Sequence, residues 1–345
     1  MMGLTVDCWG AKIRALPIVS DPADKIEAMT GAAIPHDPTP PEPAPLQAPL
    51  LKAALTHPQG HFGRVDVVAS AGSTNTDLAA SAADSSQYCP DLSVLIADAQ
   101  PAGKGRLGRS WDVPAGSAMI SSVFLRPGEQ ALQTEGTAAS FAHTGYGWLS
   151  VLAGVALCDS LRTLTGMPAE LKWPNDVVVK GRKLAGILAQ VVPAAAAGPR
   201  AQQGLGVVVG VGVNVSLTAE QLPTDRATSL LVEGVKGLDR NVLLPAYLNK
   251  FAALYKEFVA VGGDAGRALG PGPSVMELME AFMGTLGQQV RAELPGGAVL
   301  QGTAMGLGDD GSLLLRDGAG TVHTVSAGDV VHLRRTGTDG TLKYA

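Results

Sequence analysis

The chain has 345 residues, 46% of them hydrophobic, and a formal net charge of −5. That length predicts roughly two domains at ~150 residues each, and the apolar share excludes a chain disordered throughout. The acidic balance argues against nonspecific nucleic-acid binding, which needs a cationic face. No apolar run reaches the ~18 residues of a membrane span, and the N-terminus lacks the apolar core and cleavage site of a signal peptide. Cys8, Cys89 and Cys158 are far apart, fit no metal spacing and cannot all pair, so they read as reduced thiols of a cytoplasmic protein.

Residues 1–60 read as a Pro-rich extension, with Pro35, Pro38, Pro40, Pro41, Pro43, Pro45 and Pro49 favouring extended, unpacked chain. His57 and His61 lie four apart, but Pro58 and Gly60 spoil the helix that a metal-binding pair would want. Globular patterning begins near Phe62. Arg64–Val68 alternates as a strand, Asn75–Asp84 is alanine-rich and helical, and Ser93–Asp98 is a strand-like run.

The segment Gly103-Lys104-Gly105-Arg106-Leu107-Gly108-Arg109-Ser110-Trp111 packs three glycines and three cations into one loop. Glycine lets backbone N–H groups approach an anion, and lysine and arginine add charge-assisted hydrogen bonds. Phosphate is the usual anion in such sites. Gly103-x-Gly105-x-x-Gly108 fits the dinucleotide fingerprint by spacing, but Asp112-Val113-Pro114-Ala115-Gly116 follows where a helix should open, and the strand-like run Ala118–Leu125 comes next. The Rossmann reading fails, and so does the Walker reading, because no Gly-Lys-Ser/Thr closes the loop. A solvated surface loop is the plain alternative.

Further along, Leu149, Leu152, Val155, Ala156, Leu161 and Leu164 recur at three- and four-residue spacing and mark a buried helix face. Asp176–Lys180 and Lys183–Val192 are strand-like, joined by a tight turn near Gly181, and Ala194–Ala197 is a low-complexity loop. Gly206–Val215 reads as a fully buried strand, and Val242–Val259 and Val275–Met283 as helices. Beyond Gly287, five short β-runs separated by Pro-Gly-Gly, Asp-Asp-Gly and Asp-Gly turns predict a small barrel, and the last ten residues a loose tail. The fold class is therefore α/β (α+β): a mixed, largely antiparallel sheet with flanking helices, plus a C-terminal β-module. The expected domains are 61–285 and 286–335, with a tail over 336–345.

A second constellation is Leu171-Lys172-Trp173-Pro174-Asn175-Asp176, followed by Lys183-Leu184-Ala185-Gly186-Ile187-Leu188. Together with the glycine loop, Ser73-Thr74-Asn75 and Gly210-x-Gly212-x-Asn214, it closely resembles the biotin protein ligases. The resemblance runs roughly from Val65 to Arg334 and includes that family's SH3-like terminal barrel. The N-terminal DNA-binding domain of the repressor members has no counterpart, which implies a ligase-only type that binds no nucleic acid.

The resemblance implies a two-step reaction. Biotin's carboxylate attacks the α-phosphate of ATP with Mg²⁺ present, and a lysine on a biotin carboxyl carrier domain of an acyl-CoA carboxylase then takes the biotinyl group from the adenylate. Such chemistry needs cations and N–H donors rather than a protein nucleophile. It implies that Arg106 and Arg109 grip the adenylate, with Gly103 in the same loop. Lys104 and Gly105 line the biotin side, Lys104 acting largely through its backbone. Lys183 would hold the biotin carboxylate and then the phosphate. Ser73 and Gln100 would meet the ureido ring, Thr74 and Asn75 would bind biotin beside them, and Trp111 and Gly186 would border the bicycle. Lys172, Asn175 and Asn214 would face the nucleotide. Asp176 would position Mg²⁺ or ATP, or orient the incoming lysine.

Structural readings stand beside these: Ser73–Asn75 as a helix N-cap, Trp111 as core, Asn175-Asp176 as a turn, and Gly210 and Gly212 as aids to sheet packing. A lipoate or other acyl ligase of the same superfamily, and a biotin-sensing repressor without turnover, are the competing functions.

Overall fold

The computed structural model describes residues 43–128, 141–192, 205–294, 297–326, 329–335 and 342–344. The proline tract up to residue 42 and the Ala194–Ala197 loop lie outside these residues. The expectation of an unpacked chain as far as residue 60 is corrected. Helix α1 (Ala48–Leu55) carries its proline in the first turn, where the missing N–H is an orphan in any case, and buries Leu51 and Leu55 one turn apart. The folded body therefore starts well before residue 60.

Among the described residues, strands β1 (Arg64–Ser70), β2 (Ser93–Ala99), β3 (Ala118–Leu125), β4 (Ala169–Lys172), β5 (Asp176–Val179), β6 (Arg182–Val192) and β7 (Gly206–Asn214) form one sheet, ordered β1-β2-β3-β7-β6-β5-β4. Only the β1–β2 pair is parallel; every other neighbour is antiparallel. Strand β4 was not expected, because four residues between turn-forming neighbours leave too little pattern to read. Lys180 and Gly181, at φ 51° and 77°, make the tight β5–β6 turn.

The two faces of the sheet differ. On one, helix α3 (Gly145–Thr165) is buried nearly all round and stops at Gly166, whose φ of 70° ends it. Leu164 departs from the expected buried stripe, standing 37% exposed. Helix α4 (Arg240–Ala260) packs beside α3, and their apolar side chains join Val207, Val209, Val211 and Val213 of β7 in the main core. On the other face, helix α2 (Thr74–Ala83) sets Leu78, Ala79 and Ala82 against Phe124 and Val208. The even-numbered positions of β7 thus face α2, and three of them, 206, 210 and 212, are glycine.

After α5 (Val275–Phe282) come β8 (Gln289–Glu293), β9 (Val299–Leu307), β10 (Leu313–Arg316), β11 (Val322–Val325), β12 (Asp329–Arg335) and β13 (Leu342–Tyr344). They pair antiparallel in the order β11-β10-β9-β8-β12-β13. All five expected runs are strands. The supposed tail supplies a sixth, because residues 342–344 pair back onto β12. Val290, Ala292, Leu313 and Leu315 join the main core, so this module shares one apolar interior with the sheet below it. Two indoles latch the seam: Trp148 Nε1 donates to the Asp309 carbonyl at 2.7 Å and Trp173 Nε1 to the Gly311 carbonyl at 3.1 Å.

Candidate active site

A cleft of about 780 Å³, mouth included, opens on the α2 face where β7 carries glycine instead of side chains. Gly210 gives room to Asn75, whose Oδ1 would collide with any Cβ there. Gly212 does the same for the Trp111 indole, which a Cβ would meet at 2.8 Å. These glycines do more than ease sheet packing, since each admits one side chain of the cleft wall.

The α2 end is a closed polar network. Gln100 Oε1 accepts from the backbone N–H of Thr74 at 2.8 Å and lies 2.9 Å from its hydroxyl. Ser122 Oγ sits 2.8 Å from Thr74 Oγ1 and 2.6 Å from Asn75 Oδ1, and Asn75 Nδ2 donates to the Leu188 carbonyl at 2.9 Å. Ser73 occupies the N-cap position but makes no side-chain cap. Gln100 satisfies the first-turn N–H in its place. The Ser73 hydroxyl and the Gln100 Nε2 donors have no hydrogen-bond partner among the described residues and line the cleft. Ser122 was missed from sequence. A serine pair inside a strand buried at every position is the signal that would have found it.

The glycine loop is a small hairpin folded over the opening. Trp111 N–H donates to the Gly103 carbonyl at 2.9 Å and Gly105 N–H to the Arg109 carbonyl at 2.7 Å, with a 3-10 turn over Arg106–Gly108 at the tip. Gly103 is obligatory here, because a Cβ would collide with the Trp111 carbonyl. Lys104 and Arg109 are exposed and Arg106 half-buried, its Nη1 3.3 Å from Asn175 Oδ1. Lys104 Nζ reaches Thr76 Oγ1 at 3.0 Å. Trp111 Nε1 is buried with no hydrogen-bond partner among the described residues.

The third side is the β5–β6 hairpin. Lys183 Nζ forms an ion pair with Asp176 Oδ1 at 2.6 Å and lies 5.9 Å from the Trp111 ring centroid. A bulge between Val177 and Val178 shifts the register here, and Gly186 stands opposite Asp176 with Trp111 3.3 Å from where its Cβ would be. Asn175 is more than a turn residue: its Nδ2 donates to the Ile187 carbonyl at 2.7 Å, and its own carbonyl accepts from Ile187 N–H at 2.9 Å. Ile120 and Ile187 add apolar floor.

Ser73, Thr74, Asn75, Gln100, Lys104, Gly105, Arg106, Arg109, Trp111, Asn175, Asp176, Lys183 and Gly186 therefore meet at one cleft. Three anticipated residues do not line it. Gly103 closes the base of the loop. Lys172 lies across the β4–β5 ladder from Asp176. Asn214 is buried, and its Nδ2 binds the Thr228 carbonyl at 2.9 Å, pinning the segment after β7. What the cleft offers chemically is an ammonium, guanidinium groups and side-chain amides lining one space.

Residues 67–214 match the profile of the biotin/lipoate A/B protein ligase family, and residues 285–333 that of the biotin protein ligase C terminal domain. A biotin–[acetyl-CoA-carboxylase] ligase of Mycobacterium tuberculosis is 40% identical over 84% of this chain and 97% of its own length. A protein of the same description from Paracoccus denitrificans is 32% identical over 66% of this chain and 85% of its own. Among solved structures, the biotin protein ligase of Aquifex aeolicus in complex with biotin and ATP superposes with a TM-score of 0.57 at 23% identity, covering 82% of this chain and all of that one. The chain belongs to the biotin protein ligase family. Among its described residues, no helix is long and apolar enough to cross a membrane.

Proposed function

We propose that this cytoplasmic enzyme joins biotin to the AMP moiety of ATP and passes the biotinyl group to a lysine of a biotin carboxyl carrier domain. The observation that carries the reading is Lys183, held 2.6 Å from Asp176 in the same cleft as Arg106 and the donors of Ser73 and Gln100. Biotin's ureido ring offers one carbonyl acceptor and two N–H donors. A serine hydroxyl and the Nε2 donors of a glutamine, neither bonded among the described residues, suit it. The bicycle then lies along Trp111, Ile120 and the bare backbone of Gly186 and Gly212.

In the first step a biotin carboxylate oxygen attacks the α-phosphorus and pyrophosphate leaves. Two anions must meet, so the chain's contribution is charge neutralisation and alignment. Lys183 exchanges its Asp176 partner for the biotin carboxylate and follows it to the phosphate, while Arg106 and Arg109 cover the phosphates from the loop. Closure of that loop keeps water from the acyl-adenylate. In the second step the carrier lysine's neutral amine attacks the acyl carbon, AMP departs and a proton is lost, with Asp176 the carboxylate best suited to receive it. Among the described residues no three metal-ligating side chains cluster. Mg²⁺ would accompany ATP, with Asp176 the cleft carboxylate that would hold it, and would supply further charge neutralisation.

Incubation with ATP, Mg²⁺, biotin and a carrier domain should add one biotinyl group to the carrier by intact mass. No addition would end the proposal. Lipoate in place of biotin tests the superfamily rival, which needs a longer and wholly apolar slot. A gel shift at physiological salt tests the repressor reading.

A further inference from the structure

The hairpin that carries Lys183 is tied down from outside the cleft. Glu233 lies beyond β7 with its side chain 1% exposed. Its Oε1 accepts from Arg182 Nη2 at 2.5 Å and from Thr228 Oγ1 at 2.8 Å, and its Oε2 pairs with Lys180 Nζ at 3.1 Å. Lys180 and Arg182 flank the tight turn directly before Lys183. Thr228 belongs to the segment that clamps the lysine's own backbone. Lys183 N–H donates to the Arg226 carbonyl at 2.7 Å, and Thr228 N–H donates to the Lys183 carbonyl at 2.8 Å.

One carboxylate therefore grips the turn on one side and, through Thr228, the clamp on the other. Burial pushes the Glu233 carboxyl upward, but the Thr228 and Lys180 hydrogen bonds and the Arg182 charge outweigh it and hold it below its ordinary value. The anchor is charged at neutral pH.

We propose that Glu233 is a positioning residue for the adenylation step, fixing the backbone of Lys183 so that its ammonium meets the biotin carboxylate and the α-phosphate together. This rests on the activity proposed above. A hairpin that is merely stabilised would show itself in melting alone. A hairpin that is aimed would show itself in the rate, because misplacement by a fraction of an ångström weakens an interaction that is strongest in the transition state.

The test compares Glu233→Gln, which keeps the shape and removes the charge, with Thr228→Val and with the double variant. All are assayed for biotinyl-AMP formation at saturating biotin and ATP, per folded molecule. The expected result is a rate loss of roughly ten-fold or more with biotin affinity by calorimetry changed less than about three-fold. The double variant should lose no more than the worse single, because both act through one route. Unchanged rates with only a lowered melting temperature, or losses that multiply, would overturn it. If Glu233→Gln does not fold, Thr228→Val decides by the same rate and affinity criteria. Wild-type protein runs alongside: if it forms no biotinyl-AMP, the activity and this role fall together. If it is active and the variants equal it, only the role of Glu233 falls.

Discussion

At the α2 end of the cleft, Thr74, Asn75, Gln100 and Ser122 are at most 8% exposed and bonded to one another, so their donors and acceptors point one way before any ligand arrives. At the loop end, Lys104 and Arg109 stand exposed, and Arg106 is half-buried and reaches Asn175 across the opening at 3.3 Å. Lys183, 38% exposed, is intermediate between the two. A neutral ring gains little from charge, and its recognition depends on dipoles fixed in advance. A triphosphate is recognised by charge, which acts at longer range and tolerates side chains that settle after binding. On the proposed reaction, the cleft is fixed by hydrogen bonds at the end that would meet biotin and exposed at the end that would meet ATP.

The sharpest break of that contrast is Lys183→Ala, which should cut biotin-dependent pyrophosphate exchange by roughly 10²–10³-fold, as loss of a key transition-state donor does elsewhere. Retained exchange would remove the lysine from the chemistry. Arg106→Ala should cost about 1.5–3 kcal/mol of rate, or roughly 10–150-fold, with the melting temperature unmoved. A parallel loss of stability would mean that the loop is framework rather than lid. Gly210→Ala should destabilise the fold by about 1–3 kcal/mol and weaken biotin binding with it, because Asn75 has nowhere to go. Gly105→Ala in the loop meets its nearest atoms at ordinary contact distance and should shift stability by less than about 0.5 kcal/mol. Thermal melts of the two variants compare the regions directly. The smallest effect is on salt: raising it to ~0.5 M should weaken ATP binding a few-fold and leave biotin binding alone, since only the exposed cations are screened. Equal sensitivity would dissolve the distinction.

Sequence periodicity sufficed for most strands and for the long helices, because their patterns run over whole elements. It failed for α1, where proline-rich composition masked the Leu51–Leu55 pair, and for β4, four residues in a motif read for its chemistry. The cleft residues were legible through their motifs, whereas nothing local shows that the Asn214 amide turns toward Thr228 rather than lining the cleft. The partners Asn75 of Ser122 and Arg182 of Glu233 lie 47 and 51 residues away, so a buried serine pair could flag Ser122 as unusual but could not name what it meets. Long-range polar pairing is set by the folded topology, so only the structure shows it.

The chain has four tryptophans, of which Trp9 lies outside the described residues. Two of the others, Trp148 and Trp173, are sealed at the seam between sheet and terminal module with their indole N–H groups spent on backbone carbonyls. Trp111 alone stacks at the mouth of the cleft. The protein thus carries its own optical gauge. With Trp9 replaced by phenylalanine, a change in emission on adding biotin and ATP would report the lid, against a steady blue-shifted background from the sealed pair.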